Sequence, residues 1–567
     1  MNKLISLIFK NYKTLILVLV MLTAQAYFTL MLPQYTANII DFGIKNMDIL
    51  YIINTGEIMI LLTILAAIST IIISYLSSNY SSGYANDLRR ILFEKILRFS
   101  NTEFDDISQS SLLTIVVNDV EDIQSFLEKV LTVVIIAPII GFGGIIKSIE
   151  LGTDLYWIMI LTFVVIIVLM IPLVYKFTPY IGKLQEITDS INKTTREMLI
   201  GVPVIKTFVR QEYERNKFND VNEEYKYVQT QLTKHFNLLT PLLTLHMSLM
   251  ITAILYLGAY EVVGGNILTG QLMAFIQYAT QIVTAFLMVQ IFIIDLPDVF
   301  VSIRRVNKVL NTQLSVVDGE KDVIEDDKLT LEFKNVSYKY SKSEKDALTN
   351  INFKLEPGKT VAIMGGIGCG KSTILNLIPR LDDPTTGEIL INGENIRHYK
   401  LSTLREKISL TPQKTPLFQG TIKSNMKINN MQASDSDIAE ALNKANADFV
   451  KSLDDEVLQD GSNLSGGQRQ RLSIARAILK RCDFYLFDDS FSALDMNTER
   501  IVKNNLHDLK DSSILIVSQR ISTIKDADEI LVMKNGEIID RGSHGKLVES
   551  CSYYKQIVKN QQGQLGD

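Results

Sequence analysis

Gly365-Gly366-Ile367-Gly368-Cys369-Gly370-Lys371-Ser372-Thr373 decides how this chain is read. It fits the pattern G-x-x-x-x-G-K-[ST], opened by Gly365 and closed by Gly370, Lys371 and Ser372. Thr360-Val361-Ala362-Ile363-Met364 before it reads as a buried strand, and Thr373-Ile374-Leu375-Asn376-Leu377 after it opens an apolar-periodic helix. Strand, loop and helix in that order separate a phosphate-binding loop from a chance glycine-rich turn. Glycines let successive N–H groups turn inward as an anion nest, and the helix start adds unpaired N–H groups and the positive end of its dipole. Lys371 can reach β- and γ-phosphates, and the Ser372 hydroxyl can ligate Mg²⁺.

The rest of the 567 residues divides sharply around that loop. The chain is 47% apolar and 21% charged, and roughly the first 305 residues hold the long apolar runs while the remainder reads as an ordinary soluble domain. A net charge of −5 argues against a nucleic-acid binder. Cys369, Cys482 and Cys551 all lie in the soluble half, as expected of a reduced, cytosolic domain rather than a disulfide scaffold. The first apolar stretch has no small-residue cleavage site, so no cleavable signal is expected.

Six stretches reach the roughly 20 apolar residues that cross a bilayer: Thr14–Pro33, Ile58–Leu76, Val130–Ile146, Tyr156–Tyr175, Leu238–Tyr260 and Leu272–Leu296. The third is the weakest, interrupted by Pro138, Gly141, Gly143 and Gly144. Basic residues cluster before the first span (Lys3, Lys10, Lys13), after the second (Arg89, Arg90, Lys95, Arg98), after the fourth (from Lys176 to Lys217) and after the sixth (Arg304, Arg305, Lys308). The positive-inside rule then places both termini in the cytoplasm. The segments after Leu76 and after Tyr175 are too long for turns and keep helical periodicity. They read as spanning helices that run out into the cytoplasm and double back, with tips near Asp105–Leu112 and Gly201–Val209. Gln25, Gln34, His246, Gln271, Gln277, Gln281, Gln290 and Asp295 lie in or at the ends of spans. Each is either a functional polar group or an interhelical hydrogen bond.

Residues from about Asn311 to Lys328 lose periodicity and gain acidic charge, which marks a linker. Beyond it, Asp483-Phe484-Tyr485-Leu486-Phe487-Asp488 is a strand that delivers Asp488 at its end, where an acid can hold Mg²⁺ with the loop hydroxyl. Leu464-Ser465-Gly466-Gly467-Gln468 precedes a helix and is either a second phosphate-binding helix start or a plain N-cap. Two phosphate-binding helix starts in one chain make sense if two such domains face head-to-tail, each clamping ATP between its own loop and the other's Ser-Gly-Gly turn.

A phosphate loop, Gln413, Leu464–Gln468, Asp488 and Ser492-Ala493-Leu494-Asp495, in that order, resembles the nucleotide-binding domain of ABC transporters. Six N-terminal spans with long cytoplasmic extensions resemble the exporter type, one half-transporter per chain. The resemblance implies a membrane α-helical bundle over residues 1–310, a linker over 311–328, and an α/β P-loop NTPase domain of ABC type over 329–567. It implies ATP and Mg²⁺ as cofactors, held by Tyr340 on adenine, by Gly365, Gly366, Gly368, Cys369, Gly370, Lys371, Ser372 and Thr373, and by Gln413 and Asp488, with Ser372, Gln413 and Asp488 at the metal. Ser465, Gly466, Gly467 and Gln468 would touch a partner's ATP. The setting implied is a bacterial cell membrane, with amphipathic small-molecule, lipid or peptide cargo and membrane lipid as partners.

Two positions depart from the family pattern. After Asp488 the family has Glu, the carboxylate that orients attacking water, and this chain has Asp489. After a later apolar strand the family has His, and Ile514-Leu515-Ile516-Val517-Ser518 leads here to Gln519. Glutamine hydrogen-bonds a phosphate but carries neither proton nor positive charge. Asp489 and Gln519 together describe a degenerate catalytic site that holds ATP and hydrolyses it poorly. The chain thus resembles the degenerate-site subunit of a bacterial heterodimeric multidrug-type exporter, whose partner would carry the missing Glu and His. A homodimeric exporter with slow chemistry and an ATP-gated regulatory membrane protein are the alternatives.

Overall fold

The computed structural model describes residues 2–151, 155–325, 328–507, 509 and 511–563. Two compact units emerge: residues 1–97 with 109–312, and residues 98–108 with 313–567.

Among the described residues the first unit is built of helices and the turns that join them. Among the described residues, five helices are long and apolar enough to cross a membrane: Tyr12–Ile44, Ile49–Ile96, Gln109–Glu150, Gln211–Val263 and Thr269–Val289. Of the fourth expected span, the described residues give the apolar stretch Tyr156–Leu169, which opens the 52-residue helix Tyr156–Thr207. At about 1.5 Å per residue, Ile49–Ile96 runs about 72 Å, far beyond a hydrocarbon core about 30 Å thick. The outgoing arm of the first expected extension is therefore continuous helix as far as Ile96.

The glycines that weakened the third span are what lets it pack. A Cβ on Gly144 would lie 3.1 Å from Ile282, one on Gly141 3.3 Å from Phe163, and one on Gly143 would collide with Leu30. Several membrane polar groups resolve as interhelical bonds. Tyr278, fully buried, donates to the Leu30 carbonyl at 3.0 Å. Gln271 accepts from its own helix start at Leu268 N, 2.8 Å, and Asp41 accepts from Gly270 N at 2.7 Å, so that helix is capped across elements. The side chains of Gln290 and Asp295 lie outside the described residues.

The second tip differs from expectation. Gly201–Thr207 is the end of the long helix rather than a separate segment, and the turn is Phe208–Arg210. Pro203 removes a single intrahelical bond near the end and does not stop the helix. The first tip is the short helix Asn101–Asp106, a few residues earlier than its sequence position suggested.

Among the described residues the second unit carries twelve strands: β1 (Leu331–Tyr338), β2 (Leu348–Leu355), β3 (Thr360–Gly365), β4 (Thr386–Ile391), β5 (Glu394–Asn395), β6 (Ile408–Thr411), β7 (Gly420–Thr421), β8 (Glu456–Val457), β9 (Phe484–Asp488), β10 (Ser513–Val517), β11 (Glu529–Lys534) and β12 (Glu537–Gly542). A four-stranded antiparallel sheet, β2-β1-β4-β5, shows the in–out alternation of a half-solvated face. A six-stranded sheet runs β12-β11-β3-β10-β9-β6, parallel from β11 to β6. Its inner strands β9 and β10 are buried at every residue, as unbroken apolar runs between two covered faces must be. One core, around Phe487, Leu472 and Tyr554, covers one face; the other, around Phe484, Ile374 and Phe353, joins the two sheets.

Residues 98–108 belong to this unit through specific bonds. Asp382 accepts from Asn101 Nδ2 at 3.0 Å and from Thr102 N and Oγ1 at 3.1 Å, which caps helix Asn101–Asp106. Glu103 in turn accepts from Ser315 N and Oγ at 2.6 and 2.5 Å, clasping the start of the linker. Asp382 is 3% exposed and has no cation against it in these bonds, so burial pushes its carboxyl above the ordinary 3.8. A carboxyl raised in the folded state binds more protons folded than unfolded, so this contribution is complete at pH below 3.8 and is lost as pH rises. Asp382→Asn stays neutral and keeps an acceptor for Thr102. Its thermal midpoint is expected to equal or exceed the parent's at about pH 8, with the difference shrinking as pH falls toward 3.8. A deficit that grows as pH rises would contradict this sign.

Candidate nucleotide-binding site

Parallel strands gather the site. The loops that follow β3, β10, β9 and β6 all leave the sheet at its carboxyl edge, where ligands of open α/β sheets bind. β3 ends in the glycine loop, β10 leads to Ser518 and Gln519, β9 delivers Asp488 and Asp489, and β6 leads to Gln413. Register fixes their order across the edge, with Val517 paired to Ile363 on one side and to Asp488 on the other.

These side chains line one cavity of about 290 Å³, shared by Tyr340 and Ala347, by Gly368, Gly370, Lys371, Ser372 and Thr373 of the loop, and by Gln413, Asp488, Asp489 and Gln519. Gly370 takes φ +99° and Gly368 φ +77°, the left-handed region that L side chains avoid. A Cβ at Gly370 would also lie 2.6 Å from the Ala347 carbonyl. Lys371, buried, donates to the carbonyls of Gly365 at 2.8 Å and Gly366 at 2.6 Å, which folds the ammonium over the loop. Tyr340 meets Thr373 Oγ1 at 2.9 Å and packs edge-on to Tyr338.

Burial pushes the Asp488 carboxyl up from its ordinary value; a hydrogen bond from Ser372 opposes the rise, the Asp489 charge adds to it and the Lys371 charge opposes it. Asp489 is raised by burial as well, opposed by Ser492 and by the charges of Arg520 and Lys371. Asp489 has φ +48°, a conformation Asp tolerates better than most residues because its short side chain bonds locally. Hard oxygen donors from Ser372 and Asp488, brought together at the loop, suit Mg²⁺.

Ser465, Gly466, Gly467 and Gln468 do not line this cavity. They open helix Gly466–Leu479 as a capping box, Ser465 Oγ accepting from Gln468 N at 3.3 Å and Gln468 Oε1 from Ser465 N at 2.8 Å. Gly466 instead lines a second groove of about 730 Å³ with Arg469, Gln470 and Ala493, and Gln413 lines both. Residues with no sequence signal hold the turn Ser492–Asp495. Gln470 donates to Ser492 Oγ at 3.2 Å and accepts from Ala493 N at 2.9 Å. Arg520 donates to the carbonyls of Ser492 and Leu494.

Cys369 is 6% exposed, with Sγ 3.7 Å from Lys371 Nζ and with Gly365 kept side-chain-free beside it. Alkylation there must displace the lysine. Complete labelling is expected to abolish ATP binding, while Cys369→Ala binds ATP and resists the reagent. Normal ATP binding by protein that mass spectrometry finds fully modified at Cys369 would refute this.

A helical membrane unit joined to a nucleotide-binding domain of this topology defines the membrane-spanning, ATP-binding-cassette class. The model of the ABC transporter transmembrane region matches residues 15–286, and the ABC transporter model matches residues 348–492. The chain belongs to the ABC transporter family. It is 34% identical over 97% of both chains to an uncharacterized ABC transporter ATP-binding protein of Mycobacterium tuberculosis. It is 33% identical to the ATP-dependent lipid A-core flippase of Haemophilus influenzae, over 92% of this chain and 89% of that one. A solved structure of a bacterial Atm1-family ABC exporter with ATP bound shares the fold, with TM-score 0.83 at 22% identity over 97% and 98% of the two chains.

Proposed function

We propose that this chain is one subunit of an ATP-driven exporter of the bacterial cell membrane, with both termini cytoplasmic. It binds Mg²⁺-ATP at a degenerate, slowly turning site of its own and lends its Ser465–Gln468 turn to the catalytic site of a second, non-identical half-transporter. One observation carries this reading: the two departures, Asp489 and Gln519, face the same cavity as Lys371 and Asp488, while the intact turn lies outside it. Ser372, Gln413 and Asp488 would hold the metal. Among the described residues no cluster of three His, Cys, Asp or Glu side chains competes for it. Bound Mg²⁺ would neutralise phosphate charge, and Asp489 would position water from a carboxylate one methylene too short.

Amphipathic cargo fits the membrane unit. A cavity of about 1280 Å³ in this unit, between the helix stretches expected to extend into the cytoplasm, is lined by apolar Leu184, Ile200, Leu232 and Phe236 together with charged Lys193, Arg196 and Asp189. The lipid named in the flippase relatives makes lipid the first cargo class to assay.

The test is ATP turnover of the full-length chain purified alone in lipid, beside the same chain co-expressed with a second half-transporter that carries the Glu and His at the corresponding positions. Turnover is expected to be far below about 1 per second alone, the low end of ordinary enzymes, and to rise in the assembled pair. Turnover at or above that rate without a partner sinks the heterodimer reading.

A further inference from the structure

The C-terminal helix Ser552–Gly563 touches two loops at the carboxyl edge of the sheet. It is anchored in the core by Tyr554 and Val558, 0% and 6% exposed. Near its start, Tyr553 lies beside the glycine loop, its hydroxyl 3.4 Å from where a Cβ on Gly366 would sit. Near its end, the Gln561 amide makes two bonds to one short stretch of backbone. Gln561 Nε2 donates to the Gln519 carbonyl at 2.6 Å, and Gln561 Oε1 accepts from Ile521 N at 2.9 Å. A side-chain amide bonded to residues i and i+2 mimics a neighbouring β-strand and fixes the backbone between them. The residue between them is Arg520, held extended at φ −91°, ψ 126°. From there its guanidinium reaches the carbonyls of Ser492 and Leu494 and stands 3.8 Å from Glu499.

We infer that Gln561 is a positioning residue for ATP turnover. Through Gln519 it sets the wall of the nucleotide cavity that faces the phosphate loop. Through Arg520 it sets the turn Ser492–Asp495 that follows Asp489. The helix is thus a strut between two halves of the site, and Gln561 touches no nucleotide itself. This rests on the reading of Gln519 as a nucleotide-facing residue.

The test uses the full-length chain purified alone in lipid, where the slow turnover is that of its own site, with Gln561→Leu, Gln561→Glu and Gln519→Ala. Leu keeps the volume and loses both bonds; Glu keeps the acceptor for Ile521 N and loses the donor. A misplacement of about 1 Å costs up to roughly 100-fold in rate, and a tethered backbone that merely loosens costs less. Gln561→Leu is therefore expected to lower kcat about tenfold with KM for ATP changed less than about twofold, and Gln561→Glu to fall between Leu and the parent. The nucleotide-free thermal midpoint should stay within about 2 °C of the parent's, because the core anchors are untouched. Unchanged kcat in Gln561→Leu, with Gln519→Ala impaired, overturns the strut and leaves the site reading standing. Unchanged kcat in Gln519→Ala overturns the site reading on which the strut rests. A fall in kcat that matches a loss of folded protein overturns the positioning role.

Discussion

Changing Asp489 to Glu and Gln519 to His together raises ATP turnover of the purified full-length chain by about 100-fold. The argument is geometric. Asp489 leaves β9 at φ +48°, so its backbone is committed and the reach of the carboxylate depends on side-chain length. One methylene retracts the carboxylate by about 1–1.5 Å, and about 1 Å is enough for a loss on the order of 100-fold. Gln519 lines the same cavity and cannot carry a proton, so histidine adds a group that titrates near neutral pH. Two identical restored chains placed head-to-tail would each have a complete site, since every copy already has the Ser465–Gln468 turn. The single changes should each recover less than the pair. Steady-state phosphate release, with Lys371→Ala in the same background as the blank, measures it. A double variant no faster than the parent means that neither position limits turnover.

In the assembled pair, Ser465→Asp should lower turnover by about 100-fold or more, while Asp489→Asn lowers it by less than about threefold. Removing one positioned donor from developing phosphate charge costs roughly 100- to 1000-fold. Ser465 needs a careful substitution because it also caps helix Gly466–Leu479. Alanine there would remove the cap, worth roughly 1 kcal/mol, and mix lost stability with lost chemistry. Aspartate caps a helix start as well as serine does, yet puts a negative charge where phosphate would approach. An unchanged thermal midpoint with lost turnover therefore isolates the phosphate contact. Greater damage from Asp489→Asn than from Ser465→Asp would mean that this chain's own cavity does the cutting.

The phosphate loop, the Asp488 strand and the long apolar runs were legible because each is contiguous, and local spacing alone states its geometry. Asp489 and Gln519 were legible only against a family pattern. Nothing local marks Gln470, Arg520 or Gln561, which act by bonding backbone groups of distant loops, and any Gln or Arg in a helix or turn looks the same on paper. The Asn101–Asp382 bond joins residues 281 apart, and acids in a loop read as solvated until the fold buries them. The glycines of the third span weakened its sequence signal, yet the span stands. They looked like interruptions, and the structure uses them as the places where Leu30 and Ile282 come close. Helical periodicity gave the extensions but not their ends, since Pro203 near a helix terminus breaks too little to stop it.

The clasp of Asp382 and Glu103 bears on how this protein can be dissected. Cutting the gene at the linker yields a fragment that has lost residues 98–108, stripping Asp382 of three donors and Ser315 of its acceptor. The severed ATPase half would thus begin life with a raw edge, prone to clumping and soft to heat. A short synthetic peptide spanning that missing stretch should mend it.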